Sequence, residues 1–162
     1  MRKKQKESVL QEEYYELSIS NFDVAHEFGS NKKMSIILQK GLYLESSMIL
    51  IYGKIKLPET IKDNKAEVTL FSDPNLDSHC HMGSVNKNKP SPSTVGYIGL
   101  NKANRLFYGS IKVPQRLFQN ILLSLNQDLI RFISIFGSRL KWNSGEIYRI
   151  TLFKNHDLNN LI

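Results

Sequence analysis

The ten residues from Met48 to Leu57 constrain the fold more than any other stretch of this chain. Ile49, Ile51, Ile55 and Leu57 share one parity with Gly53, while Tyr52, Lys54 and Lys56 take the other. Successive side chains of an extended chain point to opposite faces, so this pattern sets an aliphatic row against basic heads. A chain that carries it must build a sheet with one buried side.

The same two-residue period recurs. Tyr15, Leu17 and Ile19 alternate with Glu16, Ser18 and Ser20, which predicts a strand over 14–20. Residues 21–33, with Gly29, Ser30 and Asn31, read as a loop, and 34–38 as a short strand. Pro58 ends the isoleucine strand because it lacks a ladder donor, the polar run 59–65 turns the chain, and Val68 and Leu70 resume the alternation over 66–72. That is most simply an antiparallel pair. Residues 73–94 hold Pro74, Gly83, Pro90 and Pro92 and form the longest irregular segment, where a partner site is most to be expected. Two further hairpins follow: 95–100 with 105–113 around Asn101–Asn104, and 139–142 with 146–153 across Asn143, Ser144 and Gly145.

Between those hairpins the period changes. Pro114 suits a first helical turn, and Leu117, Phe118, Ile121, Leu122 and Leu125 recur at three- and four-residue spacing. Leu129, Phe132, Ile133 and Phe136 would extend that stripe to a Gly137 cap, but Asn126 and Asp128 are weak helix formers, and residues 130–136 are β-branched and aromatic with apolar side chains on both parities. Helix followed by strand is therefore preferred. The elements predict a mainly β domain, an antiparallel β-sandwich or open barrel of about eight short strands with one short helix at about 114–125. The alternative is an α+β domain with one long helix over 114–136.

At 162 residues the chain has the size of one core. Residues 1–13 read as a disordered tail, 14–154 as a single β-rich domain and 155–162 as a C-terminal tail. The longest uninterrupted apolar run, Met48 to Tyr52, is far too short to span a bilayer, so no membrane partner is expected. Cys80 is alone, no Asn-x-Ser/Thr acceptor occurs, and the basic N-terminus lacks an apolar stretch behind it, all of which fit a reducing cytoplasm.

The net charge of +7 is unevenly distributed. Residues 1–81 carry 11 Lys/Arg against 12 Asp/Glu, and residues 82–162 carry 11 against 3, giving −1 and +8. A field of that sign concentrates phosphate backbones and acidic proteins near the surface. Arg105, Lys112, Arg116, Arg131, Arg139, Lys141 and Arg149 interleave with Tyr97, Phe107, Tyr108, Trp142 and Tyr148, and Lys112, Arg139, Lys141 and Arg149 are the candidate nucleic-acid or anion ligands. Such a site needs rings and cations on one face. Trp142 has the opposite parity to Arg139 and Lys141, which favours the plainer arrangement of a solvated cation row above a core aromatic row.

Asp73, Asp77, His79, Cys80 and His81 are the one concentration of metal-type ligands. Two imidazoles two residues apart share a face of an extended segment, and Asp73 or Asp77 would complete an open three-ligand zinc site able to activate water. No second Cys/His pair supplies the other half of a structural zinc site. Ser30–Lys33 and Ser138–Lys141 match Ser-x-x-Lys without its partner motifs, and Gly96–Gly99 lies within a strand, so neither a nucleophile nor a phosphate loop is assigned. No catalytic residue and no cofactor is expected. The ranking is a noncatalytic accessory or protein-interaction domain, then a nucleic-acid-binding protein using the basic half, then a metal-dependent hydrolase with the loop histidines.

Overall fold

The computed structural model describes residues 11–30, 43–74, 76 and 94–155. Its elements in chain order are β1 (Glu12–Ser30), β2 (Tyr43–Leu57), β3 (Lys65–Ser72), β4 (Gly96–Asn101), β5 (Leu106–Val113), α1 (Gln115–Asn126), β6 (Phe132–Ser138) and β7 (Ser144–Phe153). The domain is mainly β with one short helix, as the periodicities require. Its seven strands close into a barrel in the order β1-β2-β3-β5-β4-β7-β6, and β6 returns to β1. All neighbours run antiparallel except β3 and β5, which are parallel from Lys65 opposite Leu106 to Ser72 opposite Val113. Closure leaves no bare edge around the barrel wall.

The isoleucine row does what its parity dictates. Ile49, Ile51 and Ile55 are fully buried and meet Val68, Leu70, Ile98, Phe107, Ile111, Ile133, Ile135 and Ile147 from the other strands. Burying each of these side chains stabilises the fold by roughly 1.5–3 kcal/mol, so the barrel interior is the main source of stability.

β1 runs well past the expected strand, because the alternation is interrupted rather than ended. Ile19 pairs with Gly53 and Asn21 with Tyr52, which leaves Ser20 as an extra residue in a bulge, its hydroxyl donating to the Tyr52 carbonyl at 3.1 Å. The bulge shifts the inward parity from Leu17 and Ile19 to Phe22, and the segment read as a loop continues as strand to Ser30. At Gly53 a Cβ would overlap the Ser18 carbonyl, so only glycine permits β1 to cross β2 this closely. From Asn21 onward β1 is paired with β2 alone among the described residues; β2 is laddered to β3 only from Met48 to Lys54, so residues 26–30 of β1 and 43–47 of β2 run on as a two-stranded arm beyond the barrel. Residues 34–38 lie outside the described residues. At the other end of β1, Glu12 and Glu13 are laddered to Ser138 and Gly137, inside the segment read as a tail.

α1 stops where its sequence tells it to. Asp128 adopts φ 55°, the Leu129 amide donates to the Ser124 carbonyl at 2.8 Å and the Asp128 amide to Leu125 at 3.1 Å, the two bonds of a Schellman motif. Asp128 also accepts from Arg131, whose hydrogen bond, helped by its charge, holds the carboxyl below the usual carboxylate range. The chain then enters β6, so the long helix to Phe136 does not form, and Gly137 is a strand residue. Phe118, Ile121 and Leu125 turn into the core at the end of the barrel where β5 finishes and β6 begins.

Three turns gather at the opposite end: Pro58–Asn64, Lys102–Arg105 and Trp142–Asn143. Arg105 Nε donates to Asn64 Oδ1 at 3.1 Å, and the Leu100 amide donates to the Asn143 carbonyl at 2.9 Å. Tyr15 seals this end from inside. Its buried hydroxyl donates to the Ser138 carbonyl at 3.1 Å and accepts from the Leu140 amide at 3.0 Å. Burial, reinforced by nearby Glu13, pushes its pKa far above the ordinary tyrosine value. No helix among the described residues is long and apolar enough to cross a membrane.

Candidate binding face

The last hairpin sets the geometry. Lys141 bridges Ser144, with amide-to-carbonyl bonds of 2.8 and 3.1 Å, and the two residues between them, Trp142 and Asn143, have φ of 55° and 67°. Positive φ at both central positions is a type I′ turn, whose twist suits a tight hairpin but which favours Asn-Gly. Trp142 is therefore a turn residue, one residue earlier than the Asn143–Gly145 connection expected from sequence. The parity that would have placed its ring in the core does not apply, and the indole is 90% exposed.

The strands beside this turn present two more exposed rings. On the outer face of β5, Ser110 and Lys112 alternate with the buried Phe107, Gly109, Ile111 and Val113, and Tyr108 belongs to that outer row. Tyr108 stands opposite Gly99 of β4, which in turn stands opposite Ser144 of β7. A Cβ at Gly99 would overlap the hydroxyl end of the Tyr108 ring, so the tip of the phenol lies over the glycine, with Tyr108 49% exposed. Tyr97, two residues along β4, stands between Ser110 and Glu146 and is 63% exposed. Diagonal neighbours across a ladder are about 7–8 Å apart, so the two tyrosines form a short file leading toward the tryptophan turn.

Cations border the file. Lys65 on β3 is opposite Leu106 and diagonal to Tyr108, Lys102 and Arg105 occupy the β4–β5 turn, and Lys141 begins the tryptophan turn. Lys65, Lys102 and Lys141 are exposed and make no ion pair among the described residues. Two carboxylates share the face. Glu67 is opposite Tyr108 on β3, and Glu146 is turned onto the Tyr148 hydroxyl, which donates to it at 3.4 Å.

The sequence candidates are only partly brought together. Lys141 belongs to this face. Arg139 flanks the same turn but is directed toward β1, its Nη1 donating to Gln11 Oε1 at 3.0 Å. Arg149 lies further along β7, where it donates to the Tyr14 hydroxyl at 3.1 Å and sits over the Phe136 ring, 5.4 Å from its centroid. Lys112 is at the far end of β5, 3.6 Å from Asp73. The four cations therefore do not converge on one ligand-sized point. Of the interleaved aromatics, Phe107 is core, Tyr148 is half-buried with its pKa raised by burial and by Glu146, and Tyr97, Tyr108 and Trp142 are outside.

Of the metal candidates, Asp73 is described and faces Lys112, while Asp77, His79 and His81 lie outside the described residues, as does Cys80. Among the described residues no three His, Cys, Asp or Glu side chains are grouped to hold a metal ion. His26 is on the arm, its Nδ1 2.9 Å from Ser47 Oγ.

Sequence reading missed Gly99, Lys65 and Lys102. Nothing in the local pattern marks Gly99, because its role depends on a ring from another strand. Compared with models of known families, with curated proteins and with solved structures, the chain finds no match in any of the three.

Proposed function

We propose that this protein is a noncatalytic accessory domain that works by binding a macromolecular partner, with the outer face of β4, β5 and the Trp142 turn as its contact surface. The observation that carries the reading is the exposure of Tyr97, Tyr108 and Trp142 on adjacent strands. Aromatic rings left in water at 49–90% exposure contribute little to folding, whereas tyrosine and tryptophan dominate the energy of binding surfaces. A rigid barrel holds them at fixed spacing, so a partner meets a preorganised surface.

The test is a side-by-side capture from native lysate with the wild-type protein and a Tyr97→Ala/Tyr108→Ala/Trp142→Ala variant of equal thermal stability. A protein or nucleic-acid species retained by the first and lost by the second supports the reading. Equal retention by both, or by neither, overturns it.

A further inference from the structure

We infer that the Tyr97, Tyr108 and Trp142 face takes single-stranded nucleic acid, bases stacking on the rings while Lys65, Lys102, Arg105 and Lys141 hold the phosphates. The inference rests on the binding-domain reading and names its partner. Three features point to this chemistry.

The first is ring geometry. The tip of the Tyr108 phenol lies over Gly99, which has no side chain to cover it, Tyr97 is 63% exposed and the indole at the turn is almost wholly in solvent, so open ring surface is on offer. Every base has a π-face, so an open ring surface accepts bases without regard to sequence. Bases in a duplex are stacked on one another and out of reach of such rings, which selects the single strand.

The second is the charge around the rings. The cations come from three separate turns or strands, and Lys65, Lys102 and Lys141 are free of ion pairs among the described residues. Their charges border the file of rings instead of neutralising acids at its centre. Of the two carboxylates, Glu146 is engaged with Tyr148. The C-terminal half, which supplies all three rings, carries the +8 excess.

The third is backbone conformation at Trp142. A bulky residue at φ 55° in a two-residue turn is disfavoured relative to asparagine or glycine, so the turn gives up folding stability to hold an indole in water. A ring kept there at that cost is kept for contact.

The lone tryptophan makes the test direct. Fluorescein-labelled 20-mers of thymidylate and of uridylate, and a 20-base-pair duplex, are titrated with the full chain at 50 mM salt, following anisotropy and Trp142 emission together. The expected result is binding to one or both single strands, tighter than to the duplex, with Trp142 emission quenched in step. Tyr108→Ala and Trp142→Ala should each weaken binding by about 5- to 100-fold, the range that loss of a stacked base gives. Lys141→Gln should lower the slope of log affinity against log salt by about 0.7, the value for one phosphate contact on a single strand. Absence of binding, binding that leaves Trp142 emission unchanged, or a preference for duplex overturns the inference. So does binding to phosphatidylserine vesicles alone. If the oligonucleotides fail while a protein partner is captured through the same rings, the partner is wrong and the binding domain stands; if both fail, both readings fall.

Discussion

Two aromatic faces on the outside of the same barrel differ in their ring contacts, although Tyr14 on one and Tyr108 on the other are similarly exposed, at 44% and 49%. On β1, β6 and β7, Tyr14 and Phe136 approach to 4.8 Å between ring centroids, Tyr148 meets Phe136 edge-on at 6.1 Å, and Arg149 covers the Phe136 ring. Phe132 and Phe153 stack at 5.6 Å further along, and between the two groups Glu16 and Ser134 pair across strands, with Glu16 only 2% exposed although it points outward. On β4 and β5, Tyr97 and Tyr108 have Ser110, Glu146, Glu67 and Gly99 as cross-strand neighbours and remain open. The residue type is the same; the neighbours decide. An outer-face ring becomes structural when rings occupy the next strands, and stays available where small or polar residues do.

The largest expected effect separates the two faces by stability. Phe136→Ala removes two ring contacts and a cation over the ring, and should cost roughly 2 kcal/mol in urea unfolding, below the 3–5 kcal/mol of a fully buried phenylalanine because Phe136 is only partly buried. Tyr97→Ala should stay within about 0.5 kcal/mol. Equal costs would erase the distinction.

A smaller effect contrasts two adjacent residues, Tyr14 outside and Tyr15 inside. Tyr15→Phe leaves the Ser138 carbonyl and Leu140 amide without their hydroxyl, which should cost about 1–2 kcal/mol. It also changes the pH profile. The folded pKa of Tyr15 is raised, so the fold favours the neutral phenol, and an unfolded tyrosine ionises near pH 10. Stability from this group is whole below that pH and is lost as pH climbs from about 10 toward the folded value. Tyr15→Phe should therefore flatten the alkaline decline measured by urea titrations between pH 8 and 11.5. Tyr14→Phe, which removes only the acceptor of one exposed Arg149 hydrogen bond, should cost less than about 0.5 kcal/mol in urea unfolding at pH 7.

How much of this was legible differs from element to element. The isoleucine row at 49–55 announced the inner face, and Asn126 with Asp128 announced the helix stop that became a Schellman motif. Both signals are local, written within one turn or one strand. The Ser20 bulge was not legible, because a bulge keeps the alternation but shifts its phase, and a phase shift in sequence looks like an end. Closure of the barrel and the parallel β3–β5 pair depend on partners distant in the chain. For the candidate face, the residues Tyr97, Tyr108, Trp142 and Lys141 stood out as an aromatic and basic set, but their exposure rests on Gly99, Ser110 and Ser144 from other strands. Trp142 was hidden further by its turn, since Trp-Asn carries none of the usual signal for a type I′ hairpin.

That turn supplies the next prediction. Trp142→Gly relieves a bulky residue at positive φ, and should raise stability by about 0.5–1 kcal/mol in thermal or urea unfolding. The same change should weaken partner binding, a trade of function for stability. A variant that loses stability here would show that the indole packs, and would move it to the structural face.

The smallest stability effect is expected at Gly99, and it isolates the ring from the fold. A methyl group at this position meets the Tyr108 ring, the free end of a side chain that can swing into solvent, rather than backbone. Gly99→Ala thus exchanges the ring contact for the lower chain entropy that alanine brings to a strand, and the two nearly cancel, within about 0.5 kcal/mol. Binding should not cancel. With the phenol lifted off its seat, affinity for the partner should drop by nearly as much as in Tyr108→Ala, and the double variant should be no weaker than either single one, because both changes remove one ring from one place. Additive losses in that cycle would mean that Gly99 and Tyr108 act separately, and the ring seated over the glycine would no longer set the open face apart from the packed one.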